Sequence, residues 1–286
     1  MTDKERIVFT KPECEAEENI RHFLKRHGVS TSLIAKVKYG YCHLNGNEVH
    51  MRAVVAPGDT VEIYLPIENS DGIKPIDIPL DIVYEDEWLL VVNKPINMPV
   101  HPSKGNSLPT LANAVSAYLN QPFVFRAANR LDRDTSGLVI IAKNQLSSAI
   151  LCRTVKEREL KKCYYALVVG TPQESGIIDA PIMREEEGAM KRIVHPDGKQ
   201  SLTEYKLVEC FENGTSLCEI SPITGRTHQI RVHMAHIGHP LYNDFLYGQR
   251  VNERSTYFLH CGRLIFPHPI SGEMLDLYRG IDKTLF

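Results

Sequence analysis

Two hydrophobic patterns follow one another along the chain. Between residues 10 and 66 the apolar stretches are short. Their spacing predicts a helix from Glu17 to Arg26, a turn at Gly28 and a second helix beginning at Ser30 or Ser32. Serine is a favoured helix N-cap, because its hydroxyl accepts a backbone N–H that has no partner in the first turn. Short strands are predicted at Gly40–Leu44 and Asp59–Leu65, with turns at Asn45-Gly46 and Pro57-Gly58-Asp59. Helices followed by strands in so few residues predict a small α+β unit. Residues 67–80 then carry prolines and turn-prone clusters and read as a linker.

From residue 81 to 286 the apolar runs lengthen. A hairpin is predicted from Ile82–Glu85 and Leu89–Asn93, and further strands at Gly137–Ala142, Tyr164–Val169, Thr203–Glu209, Ser216–Ile220 and Gln229–His233. Helical spacing separates some of them, at Pro109–Leu119 and Gln145–Glu157. The expected architecture is α+β, with a mixed, largely antiparallel sheet.

Composition changes this picture in two respects. The seven cysteines are scattered and never spaced C-x-x-C, which argues against a disulfide framework or a zinc ribbon. No run approaches the ~18 apolar residues of a membrane span, and the N-terminus is charged, so the expectation is a cytoplasmic protein with no membrane partner. The net charge of −2 counts against binding nucleic acid through bulk charge. The charge is uneven, however, with nine basic against four acidic residues between Arg126 and Lys162. A solvated helix face would give the same count.

Three segments could carry chemistry. Asn129-Arg130-Leu131-Asp132-Arg133-Asp134-Thr135-Ser136-Gly137-Leu138 is a polar loop ahead of an apolar strand, a frequent setting for a site. An aspartate among arginines stays ionised and can act as nucleophile or base, although a turn with surface ion pairs would look the same. In Lys161-Lys162-Cys163-Tyr164 the tyrosine shares a strand face with Ala166 and Val168, as a core residue would. Its nearness to two lysines also suits stacking on an unpaired base. In Thr224-Gly225-Arg226-Thr227-His228-Gln229-Ile230-Arg231-Val232-His233 a strand would put Gln229 and Arg231 on one face, with Arg231 free to pair with a carboxylate elsewhere. The histidines there lack an acidic or thiol companion at metal-ligand spacing, so no metal is expected.

Together these segments give Arg130-Leu131-Asp132-x-x-Thr135-Ser136-Gly137, Lys162-x-Tyr164-x-Ala166-x-Val168-x-Gly170 and Gly225-Arg226-Thr227-His228-Gln229-Ile230-Arg231-x-His233. They resemble, in order and separation, the three motifs of the RluA/RluD-type pseudouridine synthases. Asn93-Lys94-Pro95, Val100-His101-Pro102, Leu259-His260 and Phe266-Pro267-His268-Pro269 extend the resemblance over residues 80–286. The N-terminal unit is similar to the small RNA-binding domain named after ribosomal protein S-four, through Val29-Ser30-x-Ser32, Gly40, Leu44-Asn45-Gly46, Val49, Val55 and Gly58-Asp59-x-Val61. Two positions depart from these patterns. Asn129 stands where the family usually has histidine, and Thr31 where arginine is frequent.

The resemblance implies an RNA pseudouridine synthase that needs no cofactor. It would act on structured RNA, with large-subunit ribosomal RNA first and transfer RNA second, and as a monomer. It implies Asp132 as catalytic carboxylate, either attacking the ribose or removing a ribose proton. Arg231 would pair with Asp132, and Tyr164 would stack on uracil and help take the carbon-5 proton. Arg130 would fill the space left by a flipped base. Thr135, Ser136, Gly137, Arg226, His228, Gln229, Lys161 and Lys162 would contact substrate or RNA. Two rivals remain at this point. One is an RNA-binding protein without activity. The other is a glycoside hydrolase using Asp132 and Asp134 as its acid–base pair.

Overall fold

The computed structural model describes residues 4–66, 68, 72–102, 109–120, 124–250 and 256–281. Residues 67 and 69–71 of the expected linker lie outside these.

The N-terminal sheet has the order β1-β6-β3-β4. It is built from β1 (Lys4–Thr10), β3 (Cys42–Leu44), β4 (Asn47–Glu48) and β6 (Thr60–Pro66). A small ladder joins β2 (Glu18–Asn19) to β5 (Val54–Val55), and two helices, α1 (Ile20–Arg26) and α2 (Thr31–Val37), pack nearby. Ser30 caps α2 by accepting the Leu33 N–H at 3.2 Å, as its position predicts. Strand β1 was not anticipated, yet it pairs with β6 along its whole length and buries Ile7 and Phe9. The core of this unit continues onto Leu146 and Ile150.

The second sheet has nine strands among the described residues, in the order β11-β14-β15-β10-β16-β9-β8-β7, with β17 also paired to β16. The strands are β7 (Ile82–Glu85), β8 (Leu89–Lys94), β9 (Ser136–Ala142), β10 (Lys161–Val169), β11 (Ser175–Asp179), β14 (Leu202–Cys210), β15 (Thr215–Pro222), β16 (Leu259–Pro267) and β17 (Met274–Tyr278). A separate hairpin joins β12 (Ile182–Arg184) to β13 (Arg192–Val194). Only β9 and β16 run parallel, so the sheet is mixed and mostly antiparallel, as the sequence predicts. The apolar runs Leu89–Val92 and Leu138–Ala142 are buried on both faces, which explains why they do not alternate.

Helices α3 (Leu111–Leu119) and α4 (Gln145–Lys156) each open with a capping box, at Thr110/Asn113 and Asn144/Ser147. One element differs in kind from the expectation. Residues Gln229–His236 form helix α5, where a strand was expected at Gln229–His233. The alternation of Ile230, Val232 and Met234 with polar residues suggested one buried face, but Gln229, Arg231 and His233 are buried as well. Their polar atoms are satisfied by hydrogen bonds inside the protein. Gly238 closes α5 with a φ of 86°: its N–H reaches Ala235 O at 3.0 Å, and the His239 N–H reaches Met234 O at 2.9 Å.

Candidate active site

The loop between Ala127 and β9 is pinned from beneath. Asn129 is buried, donates to Leu138 O at 2.9 Å and accepts from Ile140 N–H at 2.9 Å. Asn129 thus holds the loop by two hydrogen bonds that need no imidazole. Lys94 is fully buried on the other side and donates to the carbonyls of Pro95, Met98 and Arg133 at 2.8, 2.8 and 3.1 Å. Burial pushes its ammonium down to about 8, against the opposing pull of Asp134 and Asp132. The Thr135 N–H closes a turn onto Asp132 O at 3.1 Å, leaving the Asp132 carboxylate facing a cavity of about 340 Å³. Asp134 is occupied differently. It is buried and gripped twice by Arg133, at 2.9 and 2.8 Å.

The floor is β10. Strand β16 carries one extra residue, Gly262, where the register shifts beside Cys163 and Tyr164. Tyr164 and Lys162 face the cavity, while Lys161 is exposed and does not line it. Burial holds the Tyr164 phenol well above its usual pKa, with Cys261 adding in the same direction, and burial also lowers that of Lys162.

The third wall is the loop from Thr224 to His228 with the start of α5. Gln229 organises it. Its carbonyl accepts from Thr224 Oγ1 at 2.8 Å and Arg226 N–H at 2.9 Å, and its amide donates to Leu202 O and Thr203 Oγ1 at 2.9 Å each. Arg226 is exposed at the rim and donates to Gln200 O. Arg231 does not form the expected ion pair with Asp132. It holds Asp244 in a bidentate pair, 2.7 Å at each contact, with side chains 5% and 0% exposed. Its guanidinium lies against the Tyr257 and Tyr247 rings, 4.2 and 4.9 Å from their centroids. The basic group nearest Asp132 is His228, whose Nε2 stands 3.9 Å from Oδ2. Burial lowers the His228 pKa while Asp132 raises it.

The motif residues therefore divide. Asp132, Tyr164, Arg231, Arg130, Thr135, Lys162, Arg226, His228 and Gln229 surround one cavity. Ser136 instead bonds His260 Nδ1 at 2.9 Å. Gly137 has a φ of 115°, and a Cβ there would meet the Cys261 carbonyl oxygen at 2.3 Å, so it serves the close β9–β16 pairing. Asp244, Tyr247 and Tyr257 belong to the same cluster and carried no local signal. Among the described residues, no three His, Cys, Asp or Glu side chains are grouped so that they could hold a metal ion.

A family model described as RNA pseudouridylate synthase matches residues 88–236. The chain is also 38% identical over 258 residues to a ribosomal large subunit pseudouridine synthase D of Pasteurella multocida (strain Pm70), covering 84% of this chain and 79% of that one. The chain belongs to the RNA pseudouridylate synthase family. This synthase is 35% identical to an uncharacterized RNA pseudouridine synthase, YjbO, of Bacillus subtilis (strain 168), with 93% and 96% of the two chains covered. Among solved structures, Human RNA Pseudouridylate Synthase Domain Containing 1 aligns with a TM-score of 0.60 at 31% identity, over 71% of this synthase and 84% of that chain. The protein is thus an isomerase that makes pseudouridine in RNA, which removes both the glycoside hydrolase and the inactive binding protein. The state of Asp134, bound to Arg133 and outside the cavity lining, fits no acid–base pair with Asp132.

Proposed function

We propose that this synthase acts on uridine in large-subunit ribosomal RNA, with Asp132 as its catalytic carboxylate. The observation that carries the site assignment is that Asp132 is, among the described residues, the single acidic one lining the cavity, beside Arg130, Lys162, Arg226, His228 and Arg231. A basic cavity of about 340 Å³ suits one nucleotide turned out of its helix. A second depression shares Arg130 and Asp132 and adds Arg126 and Arg133, whose charges are met by Glu68 and Asp134, so among the described residues Arg130 is the arginine there without an ion-pair partner for an RNA backbone. The exposed Arg153, Lys156, Arg158 and Lys161 would take flanking phosphates.

The reaction breaks the bond from ribose carbon-1 to uracil nitrogen-1, turns the base and joins carbon-1 to carbon-5, which then loses its proton. Asp132 either attacks the ribose or takes a ribose proton. Tyr164 stacks on the uracil. A phenol held above its usual pKa stays protonated at neutral pH, which favours stacking over proton abstraction. Arg231 supports the wall through Asp244 and contributes positive charge to Asp132 at longer range. Arg130, exposed at the rim between the two depressions, is placed to fill the gap left by the flipped base. Thr135, Lys162 and Arg226 contact the substrate or its phosphates. Gln229, Ser136 and Gly137 act by holding the walls.

The N-terminal unit of residues 10–66 is proposed as an RNA grip preceding a catalytic domain of residues 81–286. In its support, Arg21, Lys38 and Arg52 surround a depression of about 430 Å³ beside Tyr39, which is 69% exposed. None of the three has an ion-pair partner among the described residues. The relatives named for the ribosomal large subunit support the choice of RNA. Free cysteines throughout suit a reducing cytoplasm.

The test is to treat transcribed large-subunit ribosomal RNA, small-subunit ribosomal RNA and transfer RNA with the enzyme. Pseudouridine is then mapped by carbodiimide adducts and primer extension. Product in the large-subunit RNA alone is expected. Product only in transfer RNA would overturn the substrate while leaving the reaction intact.

A further inference from the structure

Behind the cavity wall, three groups form a hydrogen-bonded series. The Arg192 backbone N–H, at the start of β13, donates to the Tyr247 hydroxyl oxygen at 2.9 Å. Tyr247 therefore has its own proton to give, and His228 Nδ1 stands 2.7 Å away. A ring nitrogen that accepts a hydrogen bond carries no proton, so the neutral imidazole has its proton on Nε2. Nε2 is the atom that faces the Asp132 carboxylate.

The backbone supports a dedicated placement. His228 has φ 58° and ψ 18°, a left-handed conformation uncommon for a residue with a side chain, and its side chain makes no capping bond to α5. The charged groups around it are Asp132 from the loop before β9, Arg192 from the β12–β13 hairpin, Arg231 from α5 and Asp244 from the loop that follows. Arg192 is itself fixed, donating from its guanidinium to the carbonyls of Ala189, Met190 and Lys191.

We propose that Tyr247 and His228 are positioning residues for Asp132. Tyr247 fixes the tautomer of His228, and His228 presents an Nε2–H that aims the carboxylate when uridine is bound. The present 3.9 Å separation is longer than a hydrogen bond, so the bound state requires the two groups to draw closer. This inference rests on Asp132 being the catalytic carboxylate. It assigns a role to Tyr247, which lies outside all three motifs.

The experiment compares kcat and KM for a substrate RNA between pH 4.5 and 8, using wild type, Tyr247→Phe, His228→Asn and the double variant. Asparagine tolerates the left-handed backbone, and its amide is too short to reach Asp132. At pH 8, Tyr247→Phe should lower kcat about three- to tenfold with little change in KM, the effect of losing one directing hydrogen bond. Its deficit should shrink as pH falls, because a protonated imidazole carries hydrogen on both nitrogens whatever Tyr247 does. His228→Asn should lose kcat without recovery in acid. The double variant should match His228→Asn, since Tyr247 acts through the imidazole. A Tyr247→Phe deficit that is constant with pH, or that reappears in the double variant, would mean that Tyr247 serves packing alone. A His228→Asn enzyme with wild-type kcat overturns the proposal even if Tyr247→Phe does not fold. Failure of the Asp132 assignment would show separately, as activity in Asp132→Asn.

Discussion

Replacing Asp244 by alanine should destabilise this synthase more than replacing the proposed catalytic aspartate. The Arg231–Asp244 pair is buried on both sides and bidentate, so Asp244→Ala leaves a guanidinium in the interior with no anion. Breaking such a pair from one side costs about 3–5 kcal/mol. The variant also removes an acceptor from the Leu246 and Tyr247 N–H groups, at 3.0 and 3.3 Å. Two tyrosine faces on Arg231 offset part of the loss, by roughly 1–2 kcal/mol. A net destabilisation of about 3 kcal/mol follows, or roughly 6–12 °C in melting temperature for a chain of this size. Asp132→Asn should stay within about 0.5 kcal/mol of wild type, because its side chain is 35% exposed and its nearest basic partner is 3.9 Å away. Circular dichroism melts of both variants, with urea midpoints as a second measure, make the comparison. An Arg231→Met/Asp244→Leu enzyme should regain most of the stability and none of the activity. The reverse order, with Asp132→Asn unstable and Asp244→Ala neutral, would show that Arg231 pairs with Asp132 and would refute the geometry.

Two further outcomes concern the supports of the catalytic loop. Asn129→Ala removes a buried donor and acceptor and should cost about 2 kcal/mol, read as a lower urea midpoint at unchanged m; an unchanged midpoint would mean the loop is held elsewhere. Lys94 has a folded pKa of about 8, below the ordinary lysine value of 10.5, so the unfolded chain binds more protons between the two. Its contribution to stability is present above the higher value and is lost as pH falls through the lower one. Wild type should therefore gain stability relative to Lys94→Met as pH rises from 8 to 10, by an amount on the order of 3 kcal/mol when complete. A pH-independent difference would place the ammonium in water.

How much of this could be read from the chain depends on the range of the interactions. The uninterrupted apolar runs of β8 and β9 identify themselves, since burial on both faces needs no partner to be known. The caps Ser30 and Asn144 act within three residues and are equally local. Strand β1 was not legible as an alternation, because Ile7, Val8 and Phe9 are all apolar and only the pairing with β6 turns Val8 outward while Ile7 and Phe9 are buried. Helix α5 was misread because its polar residues are buried, so alternation no longer separated inside from outside. The Gly238 stop was the signal that favoured a helix. The partner of Arg231 was beyond local reading. Asp244 lies 13 residues away, and nothing in the sequence distinguishes it from Asp132 as an anion. Tyr247 likewise gains meaning only from His228 and Arg192, which the fold brings to it.

The most direct test of the central claim is tritium release from RNA labelled at carbon-5 of uridine, with wild-type enzyme and Asp132→Asn side by side. Wild-type enzyme should release tritium and Asp132→Asn none, at unchanged melting temperature. Release by both would contradict the assignment of Asp132 and move the chemistry to another side chain of the cavity.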